Sequence, residues 1–126
     1  MNRCRFCNKP TDDFLCSSCL RCEEKRVRFQ NSRKLSKHIL SIDEWLDILG
    51  QNNFACKACK TETELLTLDH IVALSKGGLN IKMNVQPLCS YCHNIKAMVE
   101  TKLTGNKKKR LEAKELMQEF NYIFGV

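Results

Sequence analysis

No stretch of this 126-residue chain approaches the ~20 consecutive apolar residues that a membrane span needs, and no secretory apolar segment follows Met1. The chain also lacks an even set of cysteines. It has nine, so a closed disulfide framework would leave one thiol over. These absences predict a soluble, cytoplasmic protein without membrane contact, in a compartment where thiols stay reduced and bind metal rather than pair. Apart from its paired Cys-x-x-Cys units the chain shows no internal repeat. By length it holds one or two domains. Split in two, neither part has much room for a core: units of this size draw ~3–5 kcal/mol from apolar packing. Structural zinc contributes ~10–16 kcal/mol in finger peptides, so zinc decides whether such a chain folds.

The cysteines fall into two sets. Cys56-x-x-Cys59 and Cys89-x-x-Cys92 are separated by 29 residues, more than a simple zinc ribbon needs, so something is folded between them. Cys4-x-x-Cys7 and Cys16-x-x-Cys19 stand eight residues apart, with a turn over Asn8, Lys9, Pro10, Thr11, Asp12 and Asp13 and a short hairpin carrying Phe6, Phe14 and Leu15. Each set offers four thiolates to one tetrahedral Zn2+, giving two structural zinc sites. Cys22 is left over; it is either a free thiol or a substitute for Cys19.

Between the second pair of knuckles the expected order is a strand ending at Asp69 and His70, a long loop, a short strand over Val85, Gln86, Pro87 and Leu88, and a helix from about Ser90 to Leu103. This is a ββα unit stitched by zinc. It contains Asp69-His70-Ile71, then Ser75-Lys76-Gly77-Gly78, then Asn80 and Asn84-Val85-Gln86, and finally Cys89-x-x-Cys92-His93 with Lys96. In that combination the segment resembles the His-Asn-His (HNH) endonuclease family over about Cys56 to Lys96, a third of the chain. One departure is Ala73, where many members have proline; it bears on loop stiffness and not on chemistry.

The resemblance implies phosphodiester hydrolysis with one catalytic divalent ion, Mg2+, Mn2+ or another, held by Asp69 and His93. His70 is the expected general base, an imidazole whose ordinary pKa near 6.5 suits proton transfer from water. Asn84 is expected to tie down the loop and orient that base. Lys96, three residues past His93 on the same helical face, either touches a phosphate or is simply solvated. Small free-standing members of the family include homing endonucleases and phage-encoded nucleases, and the chain's size fits either.

Charge is unevenly placed. Residues 1–38 hold ten Lys and Arg against four Asp and Glu, a net of +6, leaving +1 of the chain's +7 for residues 39–126. Arg21, Lys25, Arg26, Arg28, Arg33 and Lys34 form a basic arm suited to contact the backbone of double-stranded DNA without reading its sequence. The alternative is a solvated helix or linker. His38 reads as a surface residue. The proposed organisation is a zinc knuckle and basic arm at 1–38, followed by an HNH unit with a C-terminal helix at 39–126.

Two flanking helices look structural. Ser41-Ile42-Asp43-Glu44 is a capping box opening a helix through Leu49 that ends at Gly50, with Trp45, Leu46, Ile48 and Leu49 on its apolar side. Near the end, Ala113, Leu116, Met117, Phe120, Ile123 and Phe124 recur at helical spacing, as core or as a homodimer interface. Lys107, Lys108, Lys109 and Arg110 open that segment as a second basic cluster. The whole reads as an α+β, zinc-stabilised nuclease; the rival is a non-catalytic two-zinc regulator that binds nucleic acid, in which Asp69, His70 and His93 would be incidental.

Overall fold

A computed structural model describes residues 2–103. The tail stripe from Ala113 to Phe124, the dimer interface it would offer and the basic cluster at 107–110 lie outside those residues. Four strands and three α-helices form a small α+β unit: β1 Asn2–Arg3, β2 Pro10–Thr11, α1 Ser17–Asn31, α2 Ile42–Gln51, β3 Leu66–His70, β4 Val85–Cys89 and α3 Ser90–Leu103. Strands β1 and β2 pair as a hairpin around the first knuckle. No described helix is long and apolar enough to cross a membrane.

β3 and β4 are antiparallel, with Leu66 opposite Cys89, Asp69 opposite Gln86 and His70 opposite Val85. Pro87 cannot donate to a ladder, yet it fits this two-stranded sheet, and its carbonyl accepts the backbone N–H of Lys57 at 2.8 Å. That bond docks the Cys56–Cys59 turn on β4. α3 leaves β4 without a linker, which completes the ββα unit; β4 runs one residue past the expected Leu88, to Cys89.

Both cysteine sets follow one plan. The residue after each leading pair, Asn8 or Lys60, is left-handed, with φ of 65° in both. Each turn then closes on itself through Asn8 N–H to Cys4 O at 3.0 Å and Lys60 N–H to Cys56 O at 2.9 Å. Each trailing pair sits where a helix begins: Cys16 is the N-cap of α1, and Cys89 precedes Ser90 of α3. The orphan N–H groups and positive dipole end of a helix favour thiolate there.

α2 carries the complete capping box, with Ser41 Oγ accepting from Glu44 N and Glu44 Oε1 accepting from Ser41 N, both at 3.0 Å. The helix runs through Gly50 to Gln51, one residue past the glycine expected to end it, and the Asn52 side chain caps Ile48 O at 2.8 Å. Phe54 then adopts φ of 55°, costly for a bulky residue. Its ring is held by Phe6 edge-on at 5.5 Å, by Phe14 stacked at 6.3 Å and by the Arg5 guanidinium at 5.2 Å.

The basic arm is helical from Arg21 to Arg28, within α1, whose inward residues are Glu23 and Val27; Arg33 and Lys34 follow in the turn after the helix. Leu15 and Val27 join Trp45, Leu49, Leu66, Leu88 and Cys92 in one buried cluster, so the core runs through the boundary expected at residue 38. Glu23, 2% exposed, accepts from Trp45 Nε1 at 3.0 Å and from Arg26 Nε at 3.2 Å. Asn31 ends α1 by bonding both backbone groups of Leu40 at 2.9 Å. α1 is thus pinned along its length.

Burial raises the Glu23 carboxyl above the ordinary carboxylate range, and Trp45 and Arg26 offset this only in part. A raised folded-state value means that Glu23's contribution is complete below the ordinary carboxylate range and is lost as pH rises through the raised value. Glu23→Gln keeps an acceptor for Trp45 and removes the ionisation. Its urea midpoint should fall less than wild type's between the acid end of that range and neutrality; parallel profiles would mean Glu23 is not the titrating group.

Candidate active site and metal centres

The sulfurs of Cys4, Cys7, Cys16 and Cys19 lie within 4.8 Å of one another, as do those of Cys56, Cys59, Cys89 and Cys92. A zinc tetrahedron with ~2.3 Å bonds puts sulfurs ~3.8 Å apart. The Cys7–Cys16 and Cys59–Cys89 separations are 3.5 and 3.7 Å. Burial pushes the Cys4 thiol up, but backbone N–H groups of Cys7, Cys16 and Phe6 outweigh it and bring the group down to about 6. At Cys59 burial is likewise outweighed, here by Thr61, to about 6. Cys19 and Cys92 are pushed well up by burial and by neighbouring thiols. Four sulfurs this close cannot all ionise without a cation between them, so each set fits zinc. Cys22 stays outside the first set, as an exposed free thiol.

The second candidate centre lies where β3 ends against α3. Asp69 and His70 are each 6% exposed. Gln86, directly across the ladder, donates to Asp69 Oδ2 at 2.9 Å. The other carboxylate oxygen, Oδ1, faces His93 Nδ1 at 3.3 Å. That nitrogen is buried and has no hydrogen-bond partner, although the ring as a whole is 41% exposed. An acceptor oxygen and an unpaired ring nitrogen at this separation can share one ion, because ligands ~2.1 Å from a metal subtend roughly a right angle or a little more at 3.3 Å. Asp69 and His93 therefore fit a divalent ion, and the orphaned Nδ1 supports that fit.

His70 points elsewhere. Its Nε2 meets Asn80 Oδ1 at 2.9 Å, and Asn80 is fully buried. Asn84 does not touch His70. Its side chain clamps the loop, accepting from Val72 N at 2.9 Å and donating to Val72 O at 3.0 Å and Leu79 O at 2.8 Å. The loop-tying expected of Asn84 is there, but the contact with the imidazole belongs to Asn80. Gly77, with φ of 86°, and Gly78, where a Cβ would lie 1.8 Å from Val72 O, allow the loop to fold this tightly. Asn80 and Gln86 stood within the motif; the signal that could have singled them out is their polarity at buried positions.

Lys96 is placed differently from expectation. It is 5% exposed, and its three donors go to His70 O at 2.9 Å, Asp69 Oδ2 at 3.3 Å and Glu100 Oε1 at 2.5 Å. An ammonium has three protons, so none remains for a phosphate. Lys96 ties α3 to the end of β3 and is buried rather than solvated.

A cleft of about 710 Å³ opens over this centre. One wall carries Asp69, His70 and His93; the other is the face of α1 that presents Cys22, Lys25, Arg26 and Phe29 at helical spacing, extended by Arg33 in the turn just past the helix end. The basic set therefore divides: Lys25, Arg26 and Arg33 line the cleft, whereas Arg21, Arg28 and Lys34 are exposed elsewhere. Arg26 is also engaged by Glu23. Phe29, unforeseen, places an aromatic ring that is 64% exposed among these cations.

A comparison with known families matches residues 56–97, a third of the chain, to the HNH endonuclease family. Over that segment the chain is similar to HNH domains, a family of nuclease type that generally uses a divalent metal ion. No curated protein and no solved structure matches the chain.

If each cysteine set holds zinc, elemental analysis of freshly purified protein should find two tightly held zinc ions per chain, besides any exchangeable ion at Asp69 and His93. One zinc per chain would remove one of the sites, and Cys7→Ser against Cys59→Ser would show which.

Proposed function

We propose that the chain is a metal-dependent endonuclease that hydrolyses phosphodiester bonds of double-stranded DNA. The observation that carries this reading is the convergence of Asp69 Oδ1 and the unpartnered His93 Nδ1 beside His70, on the floor of a cleft whose opposite wall is basic. Asp69 and His93 would hold one Mg2+, Mn2+ or other divalent ion, which when bound supplies positive charge at the phosphate and the departing oxygen. His70 takes the proton of the attacking water. Gln86 and Lys96 hold the Asp69 carboxylate, and Asn84 holds the loop that covers His70. Lys25 and Arg33 contact the phosphate backbone, which positions the duplex without reading its sequence. The homing or phage-encoded type rests on the family resemblance alone.

Purified protein should nick supercoiled plasmid only with an added divalent ion, and His70→Ala should lower the rate by the ~10²–10⁴ that general-base catalysis contributes, with zinc content and DNA affinity unchanged. Near-normal nicking by that variant removes His70 from the mechanism. Wild-type protein that binds DNA but cuts nothing under any divalent ion is instead a two-zinc nucleic-acid-binding regulator.

The α1 wall makes a separate prediction. Each neutralised phosphate adds about 0.9 to the log–log salt slope on duplex DNA. Lys25→Ala with Arg33→Ala should therefore flatten that slope by roughly 2, whereas Arg21→Ala with Arg28→Ala, outside the cleft, should change it less. Equal effects would mean that duplex does not enter between α1 and β3.

A further inference from the structure

His70 can serve as a base only through a ring nitrogen that carries no proton, and the fold determines which one that is. The relevant contacts begin at backbone groups whose donor and acceptor roles are fixed. Leu40 N–H donates to one atom of the Asn31 amide at 2.9 Å, so that atom is Oδ1; the other donates to Leu40 O at 2.9 Å, so it is Nδ2. Asn31 Oδ1 in turn lies 2.7 Å from the Asn80 amide, which can satisfy it only with Nδ2. The carbonyl of His38, 3.1 Å away, demands the same orientation of Asn80. Asn80 Oδ1 is thereby directed at His70 Nε2, at 2.9 Å. A carboxamide oxygen only accepts.

We propose that Asn31, at the end of α1 and outside the HNH segment, acts through Asn80 as a positioning residue that keeps the proton of neutral His70 on Nε2 and leaves Nδ1 as the basic nitrogen. This rests on His70 being the base. Asn80 is fully buried, so no water competes for its amide, while the amide torsion by itself is nearly two-fold and needs an outside reference. The three backbone groups at His38 and Leu40 supply that reference. The connection from the α1–α2 segment to the imidazole thus follows from hydrogen-bond polarity alone, and it makes the region before residue 56 part of what prepares the base.

The placement of the proton is read without any cleavage. In protein labelled with ¹⁵N at histidine, and at alkaline pH where imidazole is neutral, the His70 ring should show a protonated Nε2 and an unprotonated Nδ1. A wild-type ring protonated on Nδ1 overturns the proposal outright, and that measurement needs no variant. Asn80→Leu should give mixed tautomers and lower kcat on plasmid, by less than the ~10²–10⁴ expected when the base itself is removed, with little change in KM. Asn31→Leu, which leaves His38 O as the remaining reference, should give a smaller effect of the same kind. Because Asn31 acts through Asn80, the double variant should be no worse in kcat than Asn80→Leu alone. Additive losses, or a pure Nε2 proton retained in both zinc-loaded variants, would make Asn31 merely structural and sink the relay. A chain with the expected tautomer that cuts no DNA leaves the proton's placement standing and removes the nuclease reading instead.

Discussion

Everything at the centre depends on two turns of chain being held against two helix starts by cysteine sulfur. Regular backbone pairing at these turns is slight: the Cys56–Cys59 turn is bonded to β4 by the Lys57 N–H, and the hairpin at 2–11 is two residues wide on each side, although both sulfur sets pack into the apolar core. What joins each turn to its helix is the cluster of four sulfurs, and thiolates that close together require a cation. With the second set closed, α3 is directed off the end of β4 at one angle, and that angle brings His93 to Asp69. The first set does the same for α1, and so sets the wall that faces His93. Two sites of one design thus fix the two sides of one cleft.

Charge inside the protein is handled by a second, smaller economy. Asp69 receives Gln86 and Lys96 on one oxygen and leaves the other for His93; Lys96 spends all its protons on Asp69, Glu100 and the His70 carbonyl. Among the described residues, each buried ionic group has a partner of opposite sign or a donor, as burial demands. The exception is His93 Nδ1, and an exception of that kind at a buried position is where a ligand belongs.

Local features of the sequence were sufficient for much of this. The motif order around Asp69-His70 and Val85 to Leu88, the capping box at Ser41 and the cysteine spacings each operate over a few residues, so strands, helices and sulfur sets could be read from them. The long-range polar contacts could not. Nothing near Glu23 announces that Trp45, 22 residues on, will take its proton-accepting oxygen, and nothing near Asn31 points to Asn80, 49 residues away. Lys96 was misplaced for the same reason: helical spacing set it on the face of His93, but burial depends on how closely α3 settles onto β3. The role expected of Asn84 was divided between two asparagines in one motif because sequence order does not say which side chain turns inward.

Consider, finally, how α1 is attached. It is fastened at its beginning by Cys16 and Cys19, at its middle by Glu23 to Trp45, and at its end by Asn31 to Leu40. A lever needs one fulcrum; a bar bolted at three points is a gauge. The wall that carries Phe29 is therefore held in place across the cleft from His93, and has no single hinge about which it could swing away.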